Sequence, residues 1–235
     1  MQETPSTPNV PPQASTQASQ VSSQSKSAPV HFFSKSEAIK FGFNFFKANV
    51  SVFIKLAAVV IVVNVVLSIV SNLLKGNPLS FVWMLVSIAL YVVIQVGFTK
   101  IFLDFYDGKP LSLSYLYSLY PLALKYLGAS ILYGLIVTTG FILLIIPGII
   151  LAIRLQFYMY LVVDRGLGPI NAIKGSWNIT RGVGLSLFVF GILLGLVYVA
   201  GLLALVVGLL AAIPIVLMAH IYVYRKLLSQ TPSIA

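Results

Sequence analysis

The sequence predicts an all-α integral membrane protein, and three observations support this fold class: its apolar composition, its long apolar runs and its asymmetric charge. Hydrophobic residues make up 59% of the 235 residues and charged residues 9%, whereas soluble domains carry about 25% charged residues. Such a chain has too few polar groups to cover a compact globule in water. The composition therefore excludes a soluble domain, including a soluble nucleic-acid-binding protein.

Six apolar runs approach the length of about 17–25 residues that a transmembrane helix needs. The fourth run is short and reaches full length only if its aromatic end, FYMY, lies in the membrane interface. The fifth and sixth runs are continuous, and we divide them near residues 207–208. The predicted spans are Leu56–Leu74, Phe81–Leu103, Tyr126–Ile146, Ile149–Val163, Leu185–Val206 and Leu209–Tyr224.

The basic residues lie mainly on one side of these spans. Of the 15 lysines and arginines, Lys75 falls on the opposite side and Arg154 lies inside the fourth span. The positive-inside rule therefore predicts a multi-pass protein of the cell membrane with both termini in the cytoplasm. The uncharged segments IIPGII and GLLAAIP are then predicted to be short external turns.

A repeated phrase precedes two pairs of spans. Residues 37–50, EAIKFGFNFFKANV, and residues 171–184, NAIKGSWNITRGVG, share the pattern A-I-K-x-x-aromatic-N-x-x-basic. The spacing puts polar and apolar side chains on opposite faces of a helix, which predicts basic amphipathic helices in the headgroup region. A weaker third copy is predicted over residues 111–127. The predicted architecture is therefore three hairpins of two spans, each preceded by a cytoplasmic interfacial helix.

The composition also divides the chain into three segments. Residues 1–33 are rich in Ser, Gln and Pro. This composition predicts a disordered cytoplasmic tail, because such a segment cannot bury enough apolar surface to fold. Residues 34–228 form the predicted six-span membrane domain. Residues 229–235 form a short cytoplasmic C-terminal tail.

The interfacial segments carry the candidate contacts for membrane lipid. Basic side chains beside apolar runs are attracted to the anionic surface of the membrane. The candidate contacts with anionic lipid are Lys40, Lys47, Lys125, Lys174 and Arg181.

Polar residues inside the spans form a second candidate site. Arg154 lies seven residues after Pro147 and His220 six residues after Pro214, so both lie at similar depth. One interpretation is a polar cavity that holds an anionic headgroup or substrate, because charged groups in spans are costly and often functional. In the other, Arg154 snorkels outward or bonds to carbonyls freed near Pro147, while the amides bridge helices. The candidate polar site comprises Asn64, Gln95, Arg154, Gln156 and His220.

The residue inventory does not predict an enzyme. The five acids and two histidines form no cluster of the kind that a metal-dependent hydrolase needs. The sequence also lacks the HExxH, GxSxG and Walker motifs. Asp104 and Asp107 could share a cation, but a solvated helix end is the favoured explanation of their spacing. We therefore predict no catalytic residues, no bound metal and no cofactor.

The order of these features resembles a known family. The turn IPGIIL, the segment VVDRG and the following AIKGSWNITRG are similar to glycerophosphoryl diester phosphodiesterase membrane domains and to related uncharacterised bacterial six-span families. The resemblance covers roughly residues 35–228 and implies a six-span membrane domain. In those proteins the diesterase is a separate soluble domain, and we expect no such domain in this chain.

Two functions remain open on this basis. The first is a non-catalytic membrane accessory or scaffold protein that binds anionic lipid or a membrane protein partner. The second is a small transporter or lipid-handling permease with a polar cavity around Arg154. Three like-oriented hairpins differ from the inverted repeats that transporters commonly use, which favours the first function.

Overall fold

The computed structural model describes residues 32–110 and 119–231, and the side chains of residues 205–207 lie outside that description. Within these ranges the secondary structure is entirely helical, as the sequence predicts, and no strand occurs. The helices are α1 (Lys35–Ala48), α2 (Val50–Leu73), α3 (Leu79–Tyr106), α4 (Tyr120–Leu143), α5 (Ile145–Leu155), α6 (Tyr158–Arg165), α7 (Pro169–Ile179), α8 (Gly184–Leu203) and α9 (Leu205–Ser229).

Six stretches of helix in the described ranges are long and apolar enough to cross a membrane, which confirms the predicted number of spans. Many of their large apolar side chains are exposed, as expected of helices whose solvent is lipid. These candidate spans are Val50–Leu73, Leu79–Tyr106, Tyr120–Leu143, Ile145–Arg165, Gly184–Leu203 and Gly208–Ser229.

The fourth candidate span consists of two helices. Helix α5 ends at Leu155, Gln156 and Phe157 form a turn, and α6 begins at Tyr158. Pro147 lies in the first turn of α5, where a proline amide has no helical hydrogen bond to lose. The interruption therefore falls in the middle of the span and not at its proline.

The turn between the last two spans lies at Ala204, and the predicted division near residues 207–208 is wrong. Pro214, predicted to follow an external turn, lies inside α9. A methyl group on Gly201 would meet the carbonyl oxygen of Gly208 at 2.9 Å. Two facing glycines therefore let α8 and α9 approach closely where the chain reverses.

The predicted third interfacial helix falls only partly within the described residues. Residues 111–118 lie outside them, as do residues 1–31 of the predicted tail and residues 232–235. From Tyr120 onward the chain already belongs to α4, which continues to Leu143. The prediction of a separate interfacial helix that extends to residue 127 is therefore wrong. Pro121 lies in the first turn of α4, and no residue that breaks a helix follows it before the apolar run.

The two copies of the repeated phrase form α1 and α7, and two matched positions are buried in both, the alanine and the small residue four positions after it. Ala38 and Ala172, which open the shared pattern, are fully buried. The polar side chains that the spacing places on the other face are exposed: Glu37, Lys40, Asn44 and Lys47 in the first copy, and Asn171, Lys174, Asn178 and Arg181 in the second.

Each copy packs against the backbone of one of the candidate spans. Helix α1 contacts α9, and α7 contacts α5 and α6. Gly42 and Ser176 occupy the same position in the repeat. Gly42 lies directly against the carbonyl group of Ile215, and the Ser176 hydroxyl bonds to the carbonyl group of Arg154. The repeated phrase therefore encodes a helix that docks through a small residue.

Candidate functional site

Helix α7 satisfies the backbone groups that the interruption of the fourth span leaves free. The Ser176 hydroxyl donates to the carbonyl oxygen of Arg154 at 2.9 Å and accepts from the amide of Phe157 at 3.1 Å. Thr180 Oγ1 lies 3.0 Å from the same carbonyl oxygen. Ser176 and Thr180 are fully buried. An interrupted helix is tolerated within a membrane only where such partners exist, so α7 stabilises the turn.

The side chain of Arg154 stacks on an aromatic ring of α7. Its guanidinium carbon lies 4.1 Å from the ring centroid of Trp177, which is close enough for a cation–π interaction. Trp177 is 38% exposed, so the pair lies at the surface of the helices. In the described part of the chain, the guanidinium has neither a carboxylate partner nor a hydrogen bond. The charge of Arg154 is therefore not neutralised by this part of the protein.

A groove of about 390 Å³ begins at Arg154 and runs between α5 and α8. Gly184 contributes to its wall, and an added methyl group there would meet no atom within 4 Å. Apart from Arg154 and Gly184, the lining consists of large apolar side chains, namely Ile146, Ile149, Ile150, Ile153, Leu185 and Phe188. The groove is thus apolar along its length and carries a positive charge at one end.

Two other residues of the predicted polar site meet each other. The side-chain oxygen of Gln156 lies 3.2 Å from Nε2 of His220, which links the interrupted span to α9. The amide nitrogen of Gln156 donates to the carbonyl oxygen of Ile153 at 2.9 Å. The sequence predicted that Arg154 and His220 lie at similar depth. The two spans do meet near that point, but His220 contacts Gln156 and not Arg154.

The remaining two residues of the predicted polar site lie elsewhere. Asn64 is exposed on α2 and donates to the carbonyl oxygen of Val60 in the same helix. Gln95 on α3 donates to the hydroxyl of Tyr91, one turn earlier. The five predicted residues do not form one cavity, because three gather around the interrupted span and two bond within their own helices.

The five candidate lipid contacts differ in their surroundings. Lys40, Lys47, Lys174 and Arg181 are exposed. In the described ranges none of these four has a carboxylate within ion-pair distance. Lys125 instead donates to the carbonyl oxygen of Gly166 at 3.0 Å, just beyond the end of α6. Lys125 therefore ties α4 to α6, while the other four present their charge outward.

An ion-pair cluster joins three helix ends that sequence reasoning did not connect. Arg225 of α9 makes a two-pronged contact with Asp164 of α6, with nitrogen–oxygen distances of 2.7 and 3.0 Å. It also donates to Asp107, which follows α3, at 2.6 Å. The hydroxyl of Tyr224 adds a hydrogen bond to Asp164 at 2.9 Å. The available sequence signals were the aspartates in DFYDG and VVDRG and the arginine in YVYR.

The favoured explanation of Asp104 and Asp107 as a solvated helix end is wrong for Asp104, whereas Asp107 is exposed at the end of α3 as expected. The Asp104 side chain is only 2% exposed and lies 3.0 Å from Lys100 and 3.3 Å from Lys109. Asp107 belongs to the Arg225 cluster. Lys100, one turn earlier on α3, and Lys109 reach Asp104 locally. Helix packing brings Arg225 to Asp107, which the local sequence spacing does not reveal.

Replacing Ser176 by alanine is expected to lower the free energy of unfolding by about 1–3 kcal/mol. The buried amide of Phe157 loses its acceptor, while the Arg154 carbonyl keeps Thr180. Thermal unfolding of the purified protein in detergent measures the change. Ser229→Ala is the matched control, because Ser229 is exposed and bonds only within α9. Equal losses in both variants would contradict the proposed role of Ser176.

The fold defines the class as an all-helical protein with six candidate membrane spans, which indicates a multi-pass membrane protein. The chain belongs to the family described as a domain of unknown function (DUF7847), whose family profile matches residues 114–234. This result supports the resemblance to uncharacterised families, and it shows no glycerophosphoryl diester phosphodiesterase membrane domain. The matched region includes α4 to α9 and hence the interrupted span, its docking helix and Arg225.

Mycobacterial proteins are similar to part of this chain. Uncharacterised proteins of Mycobacterium bovis (Mb2590) and Mycobacterium tuberculosis (Rv2560) are 33% identical over 144 residues. The match covers 59% of this chain and 42% of each relative, so the chain spans about two-fifths of their length. No solved structure matches the chain.

Proposed function

We propose that this protein is a non-catalytic membrane accessory or scaffold protein that binds anionic lipid through a basic collar. The basic collar consists of Lys40 and Lys47 on α1, Lys174 on α7 and Arg181 just after α7. The observation that carries the proposal is the outward exposure of these four cations, which have no carboxylate partner among the described residues. An external anionic surface is their natural counter-charge.

The distribution of acids supports this assignment. Asp104, Asp107 and Asp164 are each held by lysine or arginine groups at the ends of α3, α6 and α9. These internal pairs leave the basic collar with an excess of positive charge. The buried faces of α1 and α7 pack on spans, so their exposed faces suit the headgroup region.

The proposed arrangement has three hairpins and cytoplasmic termini. Helix α2 contacts α3, α4 contacts α5, and α8 contacts α9, which supports pairing of successive spans. The basic collar would then lie on the cytoplasmic side of the cell membrane, as the positive-inside rule requires. A membrane protein partner is a further possible ligand of the collar.

Quenching of tryptophan fluorescence by brominated lipids tests the proposal. The chain has two tryptophans, so Trp83→Phe leaves Trp177 on α7 as the reporter. We expect brominated phosphatidylglycerol to quench it more strongly than brominated phosphatidylcholine with the same chains. Replacing Lys174 and Arg181 together by glutamine should reduce the difference in quenching between the two lipids. Replacing Lys40 and Lys47 should reduce it less, because they lie on α1.

The matched control removes two charges outside the collar. Lys75, between α2 and α3, and Lys226, near the end of α9, are both exposed. Their joint replacement by glutamine should leave the preference for phosphatidylglycerol unchanged. If the collar variants kept the same lipid preference as this control, the proposed function would be refuted.

A lipid-handling permease or small transporter is the second candidate. It is supported by the interruption of the fourth span and by the contact between Gln156 and His220, since interrupted helices often line transport sites. Transbilayer movement of a fluorescent phosphatidylglycerol in proteoliposomes distinguishes the candidates. Movement that Arg154→Gln abolishes would favour the permease, and no movement above empty liposomes would favour the accessory protein.

A further inference from the structure

We propose that the groove between α5 and α8 binds a single anionic phospholipid, with its phosphate on Arg154 and an acyl chain along the isoleucines. This inference rests on the membrane insertion assumed in the proposed function, and its site is a distinct groove that adjoins the α7 part of the basic collar. Three features of the groove support it: the charge at its end, its apolar lining and the cations beside it.

The positive charge of Arg154 would be stabilised by an anion, and the described part of the protein supplies none. A guanidinium has five N–H donors, and within the described residues none of those of Arg154 has an acceptor. An unneutralised arginine in a membrane span is costly. Stacking on Trp177 holds the group at the mouth of the groove. A phosphate accepts two parallel hydrogen bonds from a guanidinium, so it fits this position well.

The lining of the groove selects a molecule with a long apolar part. Ile146 and Arg154 are eight residues apart, which corresponds to about 12 Å along a helix. Between them the groove presents isoleucine, leucine and phenylalanine side chains. A polar solute would lose its hydrogen bonds to water there without replacement. A molecule with an anion at one end and a hydrocarbon chain at the other satisfies both parts of the groove.

The cations beside the groove favour an anionic over a zwitterionic headgroup. Trp177 lies three residues after Lys174 and four before Arg181, so the three share one side of α7 and its C-terminal turn. All three are exposed. A headgroup bound at Arg154 would therefore lie near further positive charge, which repels the ammonium group of a choline headgroup.

Native mass spectrometry of the full chain released from detergent tests the proposal. The probes are phosphatidylglycerol and phosphatidylcholine with identical chains, and glycerol 1-phosphate as a headgroup without chains. We expect one phosphatidylglycerol to be retained preferentially, and glycerol 1-phosphate not to displace it. Arg154→Gln should weaken its binding roughly tenfold or more, as expected for a lost charge-assisted hydrogen bond. Arg154→Lys should restore part of the binding, because it keeps the charge.

A second variant tests the groove without touching Arg154. Gly184→Phe should fill the groove and displace the lipid, since an added side chain meets open space there. Gly195→Phe on the same helix is the matched control, because Gly195 also faces open space but does not line the groove. It should bind phosphatidylglycerol as the wild type does.

The possible results separate this inference from the proposed function. Wild-type retention in both Arg154→Gln and Gly184→Phe would overturn the lipid site. If phosphatidylcholine were retained as well as phosphatidylglycerol, the proposed selection by charge would be wrong. If glycerol 1-phosphate displaced the lipid, the site would bind a phosphate but not an acyl chain. Replacing Lys40 and Lys47, which leaves α7 unchanged, should keep the single bound lipid while weakening the general preference for phosphatidylglycerol, so either proposal can fail without the other.

Discussion

Replacing Arg225 by methionine is expected to lower the free energy of unfolding by about 3–5 kcal/mol. The guanidinium neutralises Asp164, whose side chain is 9% exposed, and also contacts Asp107. Methionine keeps much of the apolar stem but leaves the Asp164 charge largely buried and without its main partner. Thermal unfolding of the purified protein in detergent measures this loss.

Arg165→Met is the matched control for that experiment. Arg165 also contacts Asp164, at 3.4 Å, but its side chain is 36% exposed. An exposed pair of this kind contributes about 0–1 kcal/mol. Adding Asp164→Asn to Arg225→Met should recover part of the lost stability, because the buried charge is then removed. Equal effects of the two arginine variants would contradict the central role of Arg225.

The cluster has this large expected effect because it joins the ends of three candidate spans. Asp107 follows α3, Asp164 lies in the last turn of α6, and Arg225 lies near the end of α9. One arginine therefore holds together three helix ends that are distant in the sequence.

Replacing Gly42 by valine is expected to destabilise the protein by about 1–3 kcal/mol or more and to loosen α1 from α9. The Cβ atom of any side chain at this position would overlap the backbone carbonyl of Ile215. A backbone group cannot rotate away as a side chain can, so α1 has to shift. Thermal unfolding measures the loss of stability.

Chemical labelling detects the movement of α1 directly. The chain contains no cysteine, so Ala38→Cys introduces one thiol at a fully buried position of α1. Maleimide should label this thiol faster when Gly42→Val is present. Gly195→Val is the control, because a side chain there meets open space. Unchanged labelling and stability in the Gly42 variant would show that α1 docks in another way.

Local sequence patterns predicted the features that depend on neighbouring residues. The number of candidate spans follows from apolar runs, whose helical backbone satisfies its own hydrogen bonds. The exposed polar face of α1, with Lys40 and Lys47, follows from helical spacing. Arg154 was recognisable as unusual because it is a charge within an apolar run. The ends of helices were less predictable, as Pro214 inside α9 illustrates.

The partners of these residues required the tertiary structure. Sequence spacing placed Arg154 and His220 at similar depth. In the structure, however, His220 contacts Gln156 and Arg154 stacks on Trp177, because the helices present these side chains in different directions. In the sequence, Arg225 resembled the other basic residues at the ends of spans, and nothing distinguished it from them. Its role as the centre of an ion-pair cluster depends on two aspartates at the ends of other candidate spans.

The sequence by itself determined the class of protein, the six apolar stretches and the two faces of the repeated helix. These properties depend on composition and on residues within one or two helical turns. Only the tertiary structure decided that the fourth span is interrupted, since Ser176 must reach the free backbone groups from 19 and 22 residues away in the sequence. A hydrogen bond or ion pair between separate helices depends on how those helices pack, and no local pattern encodes that packing.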